Sequence, residues 1–150
     1  MKHFKFLLIN IVAFGSLFFL ISLLFPGHVV TAKTVSIASS KEKVLAKLND
    51  TAHWKDWNAF ASDNIVTANT GNSGDTLSFS FENNNHKLFQ THFNIQQEPT
   101  NTILLNCAMV ENLPWYRPWR KFSAMVLNKD IAAAMDSSLN NFKVQVEAAK

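Results

Sequence analysis

The chain of 150 residues is poor in cysteine, glycine and charge. Its one cysteine, Cys107, excludes an internal disulfide and a cysteine-rich zinc site. Cys107 lies in an apolar stretch, so we interpret it as a small core residue rather than a reactive thiol. With four glycines, the sequence contains no glycine-rich phosphate loop, and it has no nucleophile-elbow pattern. We therefore assign no catalytic residue.

Charged residues make up 17% of the chain, and the formal net charge is +3. Two of the basic residues, Lys2 and Lys5, precede a long apolar stretch, and acidic residues are interleaved with most of the others. No stripe of cations suits a phosphate backbone, so nucleic acid is not an expected partner. His86 and His92 share the polar side of a predicted strand, where no nearby cysteine or carboxylate completes a metal-binding set. Neither a metal nor a cofactor is expected.

A run of twenty uncharged residues extends from Phe6 to Phe25, and Pro26-Gly27 follows it. As a helix, this run is about 30 Å long, which matches the hydrocarbon core of a bilayer. The lysines before it favour an amino terminus in the cytoplasm. The sequence therefore predicts a single-pass transmembrane anchor over residues 1–27 and one domain, residues 28–150, on the far side of the membrane.

A cleaved signal peptide is the alternative interpretation of the same segment. Val30-Thr31-Ala32 resembles the small-residue pattern of a cleavage site. The apolar run is longer than an ordinary signal core of ~7–15 residues, and Pro26-Gly27 ends it before that site, which favours an uncleaved anchor. Both alternatives take the domain out of the cytoplasm.

The chain after residue 27 shows strand and helix patterns in turn. His28–Ala38 is rich in β-branched residues and predicts a first strand. Ser39 and Glu42 have capping-box spacing, and a helix is predicted from there to Asn49-Asp50, followed by a helical turn that ends at Trp57. Apolar alternation then predicts four further strands, Ile65–Asn69, Thr76–Glu82, Lys87–Gln96 and Thr102–Val110.

The last part of the chain, Pro118–Lys150, predicts one long amphipathic helix. Two shorter helices with a break near Asn128-Lys129-Asp130 are the alternative, because Asn and Asp favour caps over helix interiors. An apolar stripe along one helix face needs a cover, and the strands can supply it. The pattern therefore predicts an α+β domain whose last helix lies across a curved antiparallel sheet. The stripe consists of Met135, Leu139, Phe142 and Val146.

Residues near both ends of the predicted domain resemble a known family. The matches are Ile37, Ala38, Lys43, Val44, Leu48, Asp50, Trp54 and Trp57, followed in the last helix by Ser138, Leu139, Phe142 and Lys143. In these residues the chain resembles the START-like superfamily, also called SRPBCC proteins, and especially its bacterial polyketide cyclase/dehydrase branch. The resemblance implies a helix-grip fold, with an apolar cavity between the sheet and the C-terminal helix. Members often begin with one apolar anchor, which would place this domain on the outer side of a bacterial cytoplasmic membrane.

The middle of the chain departs from the pattern of that family. Four predicted strands follow the first helix, whereas the family usually shows six, so the sheet is expected to be shortened. An apolar cavity would bind a hydrophobic small molecule or a lipid. The residues expected to line it are Phe79, Phe81, Phe89, Phe93, Leu105, Met109, Met135, Leu139 and Phe142.

Two other functions stay open. In the first, the same apolar residues fill the core of a small domain, and the chain is a non-catalytic interaction protein. In the second, the chain is an enzyme of polyketide cyclase or dehydrase type, as the family resemblance implies. Such an enzyme needs a carboxylate or histidine that faces the cavity, contrary to the strand alternation. The residues predict neither the identity of a ligand nor the oligomeric state.

The segment Leu113–Lys121 combines aromatic and basic residues. Trp115, Tyr116, Arg117 and Trp119 suit the headgroup zone of a bilayer, where aromatic rings and basic side chains both settle. The alternative is a loop that closes one end of the grip, with the tryptophans packed over the start of the last helix.

Overall fold

The computed structural model describes residues 2–62, 64–68, 75–83, 86–99 and 102–148. All predicted strands and helices are present, with ends that differ by at most two residues, except that the apolar helix predicted from Phe6 begins four residues earlier, at Lys2. The predicted ends at Asn69 and Lys150 lie outside the described residues. The elements, in chain order, are α1 (Lys2–Leu23), β1 (His28–Ile37), α2 (Lys41–Asn49), a 3-10 helix (Thr51–Asp56), β2 (Ile65–Ala68), β3 (Thr76–Asn83), β4 (His86–Gln97), β5 (Ile103–Asn112) and α3 (Pro118–Ala148).

The chain forms two compact units. The anchor unit comprises Met1–Val29 and Asn112–Leu127, and the grip unit comprises Val30–Glu111 and Asn128–Lys150. The helix α1 therefore belongs to the anchor unit, and the sheet lies almost wholly in the grip unit.

The grip unit is built on one antiparallel sheet with the strand order β1-β5-β4-β3-β2. Strands β3 and β4 pair with Phe81 opposite Phe89, and a bulge between Phe81 and Glu82 shifts their register. Strands β4 and β5 pair with Phe93 opposite Cys107. Because side chains alternate along each strand, these registers bring the apolar residues to one face of the sheet. The predicted helix-grip architecture with a short sheet is confirmed, and the sheet has five strands.

The grip-unit part of α3 supplies the cover for that apolar face. Its spacing of four, three and four residues puts the stripe on one side of the helix, where it joins the side chains of the strands in one core. The helix is continuous from Pro118 to Ala148, so the break at residues 128–130 is not formed. The buried stripe consists of Met135, Leu139, Phe142 and Val146.

The helix α2 begins one residue later than the capping pattern predicts. Its N-cap is Ser40 rather than Ser39, because Ser40 is extended and its carbonyl accepts the first helical hydrogen bond, from the Val44 amide at 3.2 Å. The Glu42 carboxylate accepts hydrogen bonds from its own backbone amide and from the Ser40 side chain, which lowers the pKa of Glu42. Val44 and Leu48 anchor the helix in the core.

Trp54, on the 3-10 helix, lies at the centre of an aromatic cluster. The side chain is fully buried, and its Nε1–H donates a hydrogen bond of 2.9 Å to the Leu48 carbonyl. The ring centroid lies 4.5 Å from that of Phe79 and 5.0 Å from that of Trp57. The segment between α2 and the sheet thus contributes the largest buried side chain of the core.

The helix α1 dominates the anchor unit. Within the described part of the chain it is the one helix long and apolar enough to cross a membrane, over His3–Leu23. Its apolar side chains are exposed along most of its length. Phe6 is exposed, whereas Phe25 is half-buried and its ring lies 5.2 Å from that of Phe122.

Candidate functional site

A small void lies between the sheet and the grip-unit part of α3. Its volume is about 10 Å³, close to the space that one water molecule occupies. The interior at this point is therefore almost completely filled by side chains. The void is lined by Trp57, Asn58, Phe60, Thr91, Phe93, Cys107, Met109, Met135, Ser138 and Leu139.

Four of the nine residues expected to line a cavity contact this void, namely Phe93, Met109, Met135 and Leu139. Four others are buried in the same core away from it: Phe79, Phe81, Leu105 and Phe142. The ninth, Phe89, is partly buried and packs against the edge of the core. Its ring stacks on that of Phe81 at 4.6 Å and meets that of Phe60 at 5.7 Å.

Several lining residues were not among the expected ones, and most of them are polar or lie outside regular strands. Thr91 shares strand parity with Phe93, so the alternation already indicated that it faces inward. Trp57 and Ser138 belong to the segments that resemble the family, but nothing in those segments indicated a shared position. Asn58 and Phe60 follow the 3-10 helix in an irregular segment that has no periodicity to interpret.

Hydrogen bonds hold that irregular segment against α3. The Ala59 amide donates to Ser138 Oγ at 3.0 Å, and the Ser138 hydroxyl donates to the Ala134 carbonyl at 2.7 Å. The Asn58 side chain caps its own turn, because its Oδ1 accepts from the Phe60 amide at 2.9 Å. These bonds place a polar rim beside an otherwise apolar interior.

Two side chains at the void bury a polar atom without a hydrogen-bond partner. Among the described residues, Trp57 Nε1 and Thr91 Oγ1 are such atoms, and the side chains are 3% and 2% exposed. The indole N–H can only donate, whereas the hydroxyl can donate or accept. An unmet buried polar group costs about 1–3 kcal/mol, so native proteins retain few of them. Two of the three buried polar atoms without a partner among the described residues thus belong to side chains that line this void, and the third is Ser22 Oγ on α1.

The thiol of Cys107 also lines the void, on the β5 side. Burial raises its pKa from 9.0 to about 12, because the apolar surroundings disfavour the thiolate. We expect Cys107 of the folded chain to resist iodoacetamide at pH 8 and to react at once in denaturant, as mass spectrometry would show. Rapid alkylation of the folded chain would contradict this burial.

The same pKa shift makes the stability of the grip unit depend on pH at the alkaline end. The folded chain holds the thiol proton more tightly than the unfolded chain does. The contribution of Cys107 to stability is therefore complete below pH 9.0 and is lost as pH rises towards about 12. Comparison of the pH dependence of unfolding with that of Cys107→Val isolates this contribution from all others.

No carboxylate, imidazole or basic side chain of the described residues lines the void. His92 hydrogen-bonds Ser78 Oγ through Nδ1 at 2.8 Å, on the strand side opposite Phe93. The side chain of His86 lies outside the part of the chain that the structure describes. No group of three His, Cys, Asp or Glu side chains that could hold a metal ion occurs among the described residues.

A second feature lies in the anchor unit, on the loop before α3. Trp115, Tyr116 and Trp119 are 64%, 59% and 69% exposed, and the Arg117 guanidinium lies 5.7 Å above the Tyr116 ring. The same unit buries the side chain of Lys121.

No family model matches the chain, and no curated protein matches it. Solved structures with the same architecture are numerous. A START superfamily protein from Mycobacterium smegmatis is 16% identical, with a TM-score of 0.53 over 80% of this chain and 99% of its own. A protein from Mesorhizobium loti is 11% identical, with a TM-score of 0.58 over 81% of this chain and 99% of its own. The di-domain ARO/CYC StfQ from the steffimycin biosynthetic pathway is 8% identical, with a TM-score of 0.53 over 81% of this chain and 52% of its own.

At these identities the similarity is one of fold. The chain has a START-like helix-grip fold, which confirms at that level the resemblance in residues near both ends of the domain. Shared architecture does not transfer an activity, because unrelated functions occur on one fold.

Proposed function

We propose that the chain is a membrane-anchored START-like protein that binds a hydrophobic small molecule or lipid between its sheet and α3. Residues 1–27 form a single-pass anchor in a bacterial cytoplasmic membrane, and residues 28–150 form the domain on the outer side. We call this bound molecule the guest. It contacts the residues expected to line the cavity: Phe79, Phe81, Phe89, Phe93, Leu105, Met109, Met135, Leu139 and Phe142.

One observation carries this proposal. Two buried side chains that line the same void in an apolar interior each have a polar atom without a hydrogen-bond partner. Trp57 Nε1 offers a hydrogen and Thr91 Oγ1 offers a hydrogen or a lone pair. In a core that serves only stability, both groups are unfavourable. An apolar guest that carries an oxygen atom, such as an alcohol, a ketone or an ester, would offer such groups a hydrogen-bond partner.

The guest has to displace side chains, because ligand pockets start at about 300 Å³ and the void has about 10 Å³. Met109 and Met135, on opposite walls of the void, are suited to this movement. An unbranched thioether side chain adopts new rotamers at low cost. We expect binding to enlarge the void by rotamer changes of these two residues and Leu139.

A non-catalytic interaction protein with a filled core is the second candidate, and the small volume of the void favours it. In that case α3 stays closed on the sheet, and no guest is taken up. Cyclase or dehydrase chemistry needs an acid or base that faces the guest. The described lining offers no carboxylate or imidazole for that role.

Contacts inside the anchor unit favour an anchor that stays attached. The buried Lys121 Nζ donates to the carbonyls of Ser22 at 3.0 Å and Phe25 at 3.2 Å, and the Leu113 amide donates to the Gly27 carbonyl at 2.8 Å. Cleavage after Ala32 would remove all three acceptors. It would also remove the ring contacts of Phe18 with Trp119 and of Phe25 with Phe122.

Mass spectrometry of the full chain, released intact from detergent micelles, tests both parts of the proposal. We expect a polypeptide that includes residues 6–27 and carries one hydrophobic molecule with an oxygen atom. A polypeptide that begins near Lys33 would show that the amino-terminal segment is a cleaved signal peptide and not an anchor. A bare polypeptide that also takes up nothing from a total lipid extract would establish the filled core.

Substitution Thr91→Val tests the role of the unpartnered hydroxyl. It replaces the group with a methyl of similar size, so we expect the free energy of unfolding to rise by about 1 kcal/mol. Guest binding should fall at the same time. The probes are 2-naphthol and 2-methylnaphthalene, which have the same shape and differ in the oxygen. Fluorescence titration of the full chain in nanodiscs, corrected with empty nanodiscs, measures their binding.

The matched control is Thr67→Val, the same chemical change at an exposed position of β2. It should alter neither stability nor binding by a measurable amount. We expect the unmodified chain to prefer 2-naphthol and Thr91→Val to lose that preference. Equal binding of both probes by the unmodified chain would argue against an oxygen-bearing guest.

A further inference from the structure

We infer that the start of α3 and the loop before it form a second membrane element, which binds the headgroups of anionic lipids. We call it the belt surface and define it as Trp115, Tyr116, Arg117, Trp119 and Val126. The inference rests on the proposed anchor α1, and it does not depend on a guest in the grip unit.

The exposure of these side chains is the first argument. Val126 is 77% exposed and lies seven residues after Trp119, two turns along the same face of α3. Trp115 and Tyr116, on the loop before α3, are exposed as well. Large apolar side chains that are exposed together mark sites of contact with a partner or a membrane. Tryptophan and tyrosine rings favour the boundary between hydrocarbon and water, because each has an apolar body and a polar edge.

Contact with the end of α1 is the second argument. The Trp119 ring stacks on Phe18 at 5.3 Å, and the Trp115 ring meets Phe19 at 6.2 Å. If α1 crosses the membrane over His3–Leu23, these phenylalanines lie in the last two turns of the span, about 6–8 Å from the point where the helix leaves the hydrocarbon core. The belt surface therefore lies near the boundary between the hydrocarbon core and the lipid headgroups.

Lys121 fixes that position. Its buried Nζ donates to the carbonyls of Ser22 and Phe25 at the carboxyl end of α1, where the last helical carbonyls lack the regular i→i+4 amide partner. Next to it, the Phe122 ring lies 4.6 Å from Phe18. The first turns of α3 thus cannot leave the end of α1 without breaking charged hydrogen bonds and aromatic contacts.

Charge indicates the kind of lipid. The two segments of the anchor unit contain no Asp or Glu, whereas they contain the exposed Arg117 beside the rings. A guanidinium pairs with a phosphate through two parallel hydrogen bonds. Basic side chains near a membrane gain about 1 kcal/mol each from anionic lipids. Phosphatidylglycerol headgroups therefore fit this surface better than zwitterionic ones.

Tryptophan fluorescence of the full chain in nanodiscs tests the inference. Trp54 and Trp57 are buried in the grip unit and serve as an internal reference, whereas Trp115 and Trp119 are exposed. We expect lipids brominated near the headgroup to quench the exposed pair, and aqueous iodide to quench little. The double variant Trp115→Phe/Trp119→Phe should lose the emission that the lipids quench and keep the emission of Trp54 and Trp57.

The lipid preference is tested in nanodiscs of phosphatidylcholine with and without phosphatidylglycerol. Lipid quenching should increase with phosphatidylglycerol, and Arg117→Gln should abolish that increase. Quenching by iodide instead of lipid, or equal lipid quenching in both compositions, would overturn the inference. Either result would leave the proposed anchor unaffected, since α1 would still retain the protein in the nanodiscs. Binding of the guest is tested separately, by mass spectrometry.

Discussion

Replacement of Trp54 with alanine is expected to lower the free energy of unfolding of the grip unit by about 3–5 kcal/mol. The ring is fully buried and lies within 6 Å, centroid to centroid, of Trp57, Phe79, Phe81 and Phe93. Its loss leaves a cavity among aromatic side chains that cannot collapse on it. It also removes the hydrogen bond to the Leu48 carbonyl. Urea unfolding of the full chain in nanodiscs, followed by far-ultraviolet circular dichroism, measures the change.

Two variants separate the causes of that loss. Trp54→Phe keeps most of the apolar volume and removes the indole donor, so it should cost less, about 1–3 kcal/mol. Val144→Ala changes an exposed residue of α3 and should cost about 0.5 kcal/mol or less. If Trp54→Ala costs no more than Val144→Ala, Trp54 does not hold the core together.

The substitution Lys121→Met is expected to loosen the end of α1. Methionine has a similar length but no donor, so the Phe25 carbonyl loses its lysine partner and the Ser22 carbonyl keeps only the Phe25 amide, at 3.3 Å. An unmet buried carbonyl costs about 1–3 kcal/mol. Amide hydrogens of residues 24–27 and of the loop from Leu113 to Arg117 should exchange faster, which hydrogen–deuterium exchange in nanodiscs can detect.

Lys129→Met is the control, because Lys129 is an exposed lysine of the same helix. It should leave exchange in both segments unchanged. Unchanged exchange in Lys121→Met as well would mean that these hydrogen bonds do not hold the anchor unit together. The belt surface would then lose its proposed fixed position at the end of α1.

The predictable parts of the fold are those in which the apolar pattern repeats along the chain. Alternation in β3, β4 and β5 follows from the pleat, and the stripe from Met135 to Val146 follows from the helical turn. The N-cap was misplaced by one residue, because Ser39 and Ser40 are chemically equivalent candidates. Only the backbone conformation of Ser40 distinguishes them.

The candidate site was predictable in its apolar part and not in its polar part. Phe93 and Met109 follow from strand parity, and Met135 and Leu139 follow from the helix stripe. Asn58 and Phe60 lie in an irregular turn, where no period relates a residue to a face. That Trp57 and Thr91 line the same void depends on the packing of the segment after α2 against β4, which no short stretch of sequence specifies.

The sequence by itself determined an apolar helix at the amino terminus, the strands and their inward faces, and the helix that covers them. Each of these follows from a local repeat, because the backbone geometry assigns every side chain of a helix or strand to a side. Only the tertiary structure decided the size of the void, the unpartnered state of Trp57 and Thr91, and the bond from Lys121 to Ser22. Those features join residues as far as 99 positions apart, and their geometry depends on packing of whole side chains rather than on any period of the chain.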